Sequence, residues 1–266
     1  MKKGGKKNKD VLKFAVGASL GILSIYYISL ILYCYSKFSF DKVLKIFFAP
    51  DVLFAVKISL FSSFIATLLA MAVALPSAYC LSRFKNKIIH IIDSIIDIPV
   101  FLSPIAIGAI LLVFFSSSFG EWLERHGISI VFSFWGIVVA QFTIVTALAV
   151  RLLKSTFDDI DERYEKIART LGCNSFQAFN KVTIPLAKNG IIASMILVWA
   201  RSIGEFGATI TLAGATAMKT ETLPIAIYLS FASADVDKAL AISGVLIFVS
   251  LITLAGIRIF SIRKLT

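Results

Sequence analysis

The chain has 266 residues, of which 58% are hydrophobic and only 16% charged, with a mean hydropathy of +0.88 and a formal charge of +11. A soluble domain cannot cover that much apolar side chain with polar surface, so the composition excludes an ordinary water-soluble protein and indicates a membrane protein. The basic excess then reads as a topology signal and an attraction to anionic lipid rather than as a nucleic-acid footprint.

The chain opens on a basic tail, residues 1–13, that holds six lysines. Six apolar segments follow, at 14–36, 59–81, 98–116, 130–150, 190–214 and 239–260, each long enough for a membrane helix, within which backbone polar groups are satisfied. The first exceeds the apolar core of a signal peptide and no small-residue cleavage site follows it, so a retained span is expected. Placing the N-terminus inside puts 19 Lys and Arg in the inner segments and seven in the outer ones, which predicts both termini in the cytoplasm. The expected fold is an all-α bundle of six transmembrane helices, a single membrane domain over 14–266. Cys34, Cys80 and Cys173 have no paired spacing, and His90 and His126 stand alone, so neither a disulfide framework nor a metal site is expected.

Two connections are not plain turns. The outer one, 215–238, contains LPIAIYLSF, an apolar run introduced by Pro224 and too short to span, which predicts an interfacial or re-entrant helix. The inner one, 151–189, is the longest cytoplasmic connection. In it Ile160, Tyr164, Ile167, Ala168 and Leu171 recur at helical spacing. Gly172 stops that helix, and Asn174 or Ser175 caps a second one carrying Phe176, Phe179 and Val182. Pro185 closes the second helix or begins the next. From the pattern alone, the apolar stripe packs on the protein's own spans or docks a partner, and both readings stand.

The spacing of this loop resembles the signature of binding-protein-dependent ABC importer permeases: a glutamate and two alanines, a glycine four residues on, nine residues, then an aliphatic, any residue, an aliphatic and proline. Lys166, Ile167 and Ala168 occupy the first three positions, Gly172 the glycine, and Val182, Thr183, Ile184 and Pro185 the end. Lys166 and Ile167 depart from the pattern, with Glu165 retained beside them. The likeness covers most of the chain, about 54–260. It implies a type I importer permease bundle that lines the translocation path, works as a homodimer, and inserts this loop into two cytoplasmic ABC ATPase subunits. It assigns coupling to Glu165, Lys166, Ala168, Gly172, Phe176, Phe179, Val182, Ile184 and Pro185. It also implies an extracytoplasmic binding protein and residence in the cytoplasmic membrane of a prokaryotic cell. No G-x-x-x-x-G-K-S/T loop occurs, so the chain has no cradle of that kind for ATP phosphates. ATP and Mg belong to the partner ATPase, and the permease itself is expected to be neither an enzyme nor a holder of a cofactor.

The stretch WARSIGEFGATITLAG, 199–214, resembles the matching span of the oxyanion permeases, molybdate and tungstate first and sulfate or thiosulfate next, and DIPVFLSPIAIG, 97–108, agrees with that group. Candidate path or gate residues are Arg201, Gly204, Glu205, Phe206, Gly207 and Thr209. Arg201 and Glu205 lie four apart on one face, so they form either a packing pair or part of the path. Two other classes stay open on the residues alone. Glu205 could serve an ion-coupled secondary transporter, and the inner loop could recruit a regulator to a membrane scaffold.

Overall fold

The computed structural model describes residues 4–36, 45–84 and 86–262, and all regular structure among them is helical. Residues 1–3, part of the outer segment 37–58, and the last residues of the C-terminal basic segment, Arg263 and Lys264 included, lie outside the described residues.

Helix α1, Gly4–Ser36, takes in most of the basic tail, so residue 13 marks no break in the backbone. None of its apolar stretch Val16–Tyr33 is buried. Helix α2, Pro50–Arg83, starts on a proline whose missing N–H costs nothing in a first turn, and it ends where Phe84 becomes extended. Its length is about 51 Å at 1.5 Å per residue. Ala55, Ser59, Ser62, Ala66, Ala70, Ala74 and Ala78 recur every three or four residues on one buried face. Small residues at that spacing let a second backbone approach closely, which is how helices associate where lipid supplies no hydrophobic drive. The partner is α7, Phe134–Asp158, capped by Ser133, whose Oγ accepts the Gly136 N–H at 3.2 Å. Ile58 packs with Ile137 at one end, and Leu81 shares a cluster with Leu153 and Phe157 at the other, so the two helices run in the same direction.

The third predicted span is not one helix. Residues 87–115 form α3, Lys87–Ile96, then α4, Ile98–Phe101, and α5, Pro104–Phe115, with a bend of 109° between Lys87–Phe101 and Pro104–Phe115. Pro99 and Pro104 each begin a helix, and Ser103 accepts the Ala106 N–H at 3.2 Å, so the chain restarts after the bend instead of continuing. Helix α5 is about 18 Å long, short of the ~30 Å hydrocarbon core. A short helix α6, Ser118–Arg125, leads on towards α7.

After α7 come α8, Arg163–Thr170, α9, Ser175–Ala178, and α10, Ile184–Ile203; α9 and α10 are joined by a π turn, Phe179–Thr183. The fifth predicted span is also interrupted. Helix α10 stops at Gly204 and α11, Gly207–Ala213, resumes beyond it. The outer run forms α12, Leu223–Ala232, tucked against α2, where the Leu223 N–H donates to Ser59 Oγ at 2.7 Å. Helix α13, Val236–Ile262, closes the order, and Lys238 at its start pairs with Asp51 of α2. Four described helices are long and apolar enough to cross a membrane, or five if the bent pair counts as one.

Candidate functional site: the inner loop and the broken spans

Between α8 and α9 the chain turns through Gly172 at φ +95°, a left-handed conformation that an L side chain adopts only with strain. The Gly172 N–H donates to the Arg169 carbonyl and the Cys173 N–H to the Ala168 carbonyl, both at 3.1 Å, which satisfies the carbonyls left over at the end of α8. Of the two candidate caps, Asn174 acts: its side chain accepts the Gln177 N–H at 2.8 Å, and Gln177 reaches back to the Asn174 N–H at 3.0 Å. Pro185 begins α10 rather than closing α9. It has no N–H to offer, and one residue earlier the Ile184 N–H reaches back five residues to the Phe179 carbonyl in the widened turn.

This frame divides the apolar residues of the loop. Ile160 and Ala168 face the bundle, and Phe179 packs there too, its ring 4.5 Å from that of Tyr79. Phe179 is therefore half-buried against the bundle, unlike the exposed Phe176. Tyr164 and Ile167 point outward, as do Leu171 at 81% exposure and Phe176 at 71%. Val182 and Ile184 are half-buried, and Pro185 is exposed. Lys166 is exposed and pairs with Glu162 at 3.1 Å.

Glu165 is buried, and it makes the longest-range contacts in the loop. Its carboxylate accepts from Tyr79 Oη at 2.7 Å, Thr183 Oγ1 at 2.7 Å and Arg83 Nε at 3.0 Å. Burial pushes this carboxyl up, but the three hydrogen bonds and the charge of Arg83 outweigh burial and hold its pKa below the ordinary value. The same guanidinium donates to the carbonyls of Phe157 at 3.2 Å and Ile160 at 3.1 Å, and Ser82 donates to Asp158 at 2.6 Å. Tyr79, Arg83 and Thr183 escape a reading of the sequence because they lie 86, 82 and 18 residues from Glu165. Arg83 registers there only as one more basic residue at the end of a span.

The second region gathers both broken spans. A Cβ added to Gly207 would stand 2.9 Å from Pro104 Cβ and 3.0 Å from the Ile105 N, and one on Gly108 would stand 2.7 Å from Thr211 Cβ. Helices α5 and α11 thus lie side by side and parallel, with their N-terminal ends level and their backbones as near as glycine permits. At the α11 end the Arg201 Nη1 to Glu205 Oε2 distance is 2.7 Å, and Glu205 Oε1 accepts the Ala208 N–H at 3.2 Å. Glu205 is 1% exposed in its side chain and Arg201 41%, so the carboxylate caps the restart while the guanidinium stays partly exposed at the surface of the subunit. Gly204 is exposed, Phe206 half-buried against Tyr228, and Thr209 fully buried with no hydrogen-bond partner for its hydroxyl. The two regions lie at opposite ends of α10 and do not merge. Among the described residues no group of His, Cys, Asp and Glu could hold a metal ion.

Residues 66–262 match the family described as binding-protein-dependent transport system inner membrane component. The chain is 30% identical to the probable transport system permease protein NifC of Clostridium pasteurianum, over 92% of this chain and 87% of that one. It is 30% identical to the sulfate transport system permease protein CysT of Escherichia coli, covering 86% and 83%, and 33% identical to the molybdenum transport system permease protein ModB of Mycobacterium bovis, covering 78% and 79%. In fold it is similar to a chain of a bacterial ABC transporter involved in import of the acidic polysaccharide alginate, with a TM-score of 0.74, 98% of each chain covered and 16% identity.

Proposed function

The chain belongs to the binding-protein-dependent transport system inner membrane components and is an ABC importer permease subunit; from that premise we propose that its cargo is an oxyanion, molybdate or tungstate before sulfate. Relatives named for molybdenum and for sulfate transport match it at 33% and 30% identity, and the corresponding anions share tetrahedral, doubly charged chemistry. In this reading six crossings place both termini in the cytoplasm. Two copies pair to enclose the path, two ATPases holding ATP and Mg grip the inner loops, and an external binding protein delivers the anion. An unburied α1 suits the membrane reading, since its apolar surface needs lipid or a second subunit around it.

One observation carries the coupling role: Tyr164, Ile167, Leu171 and Phe176 are exposed together on a loop whose turn is fixed by Gly172 and Asn174. Exposed apolar residues on a built frame suit a docking helix, with Phe176 the aromatic anchor. Arg201, partly exposed near the level break of α5 and α11, lowers the barrier for an anion without holding it tightly, because Glu205 offsets its charge. Tight capture is left to the binding protein.

Co-expression with its ATPase tests the whole reading. The complex should copurify, hydrolyse ATP faster when loaded binding protein is added, and take up molybdate or tungstate in proteoliposomes, with sulfate competing weakly. Phe176→Ala should weaken ATPase capture by about 2 kcal/mol, whereas robust hydrolysis by the purified permease alone would sink the partner model.

A further inference from the structure

The loop and the bundle are joined in two ways. Along the chain, α9 continues into α10 through the π turn Phe179–Thr183, a widened turn of a kind frequent at functional sites. Across space, Glu165 of α8 is held by Tyr79 and Arg83 of α2, and Arg83 also takes the Phe157 carbonyl in the last turn of α7 and the Ile160 carbonyl just beyond it. The rings repeat this connection, for Tyr79 lies 5.8 Å from Phe157 and 4.5 Å from Phe179. Buried, charge-assisted hydrogen bonds of this number make a stiff joint.

We propose that Arg83 and Glu165 are positioning residues of a clamp that passes movement of the inner loop across space to the paired helices α2 and α7, with Thr183 of the π turn tying the start of α10 to the same carboxylate. This rests on the permease reading of the loop. It assigns Glu165 inward: the residue transmits, and the exposed Phe176 and Leu171 bind.

The test compares E165Q, R83K and Y79F in two settings, the full complex in proteoliposomes and the chain alone in nanodiscs. Each variant is expected to capture the ATPase as wild type does and to hydrolyse ATP. Anion uptake per ATP hydrolysed should fall about fivefold or more in E165Q and R83K, and less in Y79F, whose single neutral donor is one of three. In nanodiscs, amide exchange across 163–183 should speed up in E165Q. Unchanged uptake per ATP in E165Q overturns the clamp. Loss of ATPase capture with unchanged amide exchange overturns it as well, since the carboxylate would then face the partner. If the wild-type chain captures no ATPase, the permease reading has failed separately, and the nanodisc comparison decides alone: unchanged exchange overturns the clamp and faster exchange sustains it.

Discussion

Glu165 and Glu205 are both buried, both paired with an arginine and both at the end of a helix, yet they are built on different scales. Glu165 draws its donors from α2, where Tyr79 and the charged Arg83 lie 86 and 82 residues away, and from the turn before α10. Glu205 is satisfied within one short stretch, by Arg201 one turn back and by the Ala208 N–H three residues on. A long-range carboxylate fixes how elements sit on one another, whereas a local one fixes how a single segment breaks and restarts. The inner joint should therefore fail globally when a partner is removed, and the broken span should fail locally.

The largest effect expected from that contrast is at the inner joint. Arg83→Met leaves the buried Glu165 carboxylate without its counter-charge and the Ile160 carbonyl without its donor, which should cost on the order of 3–5 kcal/mol. Thermal unfolding of the purified chain would show it, and adding Glu165→Gln should recover part of the loss. A shift as small as that of a surface substitution would remove the distinction between the regions.

At the break, Gly207→Val places a side chain where even a Cβ alone would stand 2.9 Å from Pro104 Cβ. Overpacking of this kind costs about 1–3 kcal/mol. It should separate α5 from α11 and depress uptake while ATPase capture, set at the far end of α10, stays as in wild type.

The ion pair gives a finer test. Removing both charges with Arg201→Gln and Glu205→Gln should leave insertion and ATPase binding intact and slow uptake about tenfold, equivalent to ~1.4 kcal/mol of barrier. Wild-type uptake by the double variant would reduce Arg201 and Glu205 to packing.

The smallest effects are in the pH dependence, and their signs are opposite. Glu165 has a lowered folded pKa, so its stabilisation is present above the unfolded value of about 4.3 and is lost as pH falls through the folded one. Glu221, in the outer loop, is raised by burial and by Asp51 against the opposing charge of Lys238. Its contribution is full below about pH 4.3 and lost as pH rises through its folded value. Glu165→Gln should flatten the acid limb of the stability profile, and Glu221→Gln should raise stability near neutral pH. The same sign for both substitutions would contradict these environments.

Much of the protein was determined by short-range pattern. Apolar length gave the membrane class, Gly172 with a cap at Asn174 or Ser175 gave the helix, turn and helix of the inner loop, and Pro224 gave the short outer helix. These are local choices of backbone and of nearest polar partner, and they survive whatever the rest of the chain does. Tertiary structure decided the rest. Hydropathy counts residues without registering direction, so the 109° bend at Pro104 lies hidden in an apparently continuous span, and at Gly204 the sequence leaves a close approach and a local break equally open. Periodicity placed Phe176 and Phe179 on one helix, but only the position of Tyr79 turned Phe179 inward. Glu165 stood out in sequence as a displaced motif residue, and the side chains that hold it come from the far end of another span, where no local rule reaches.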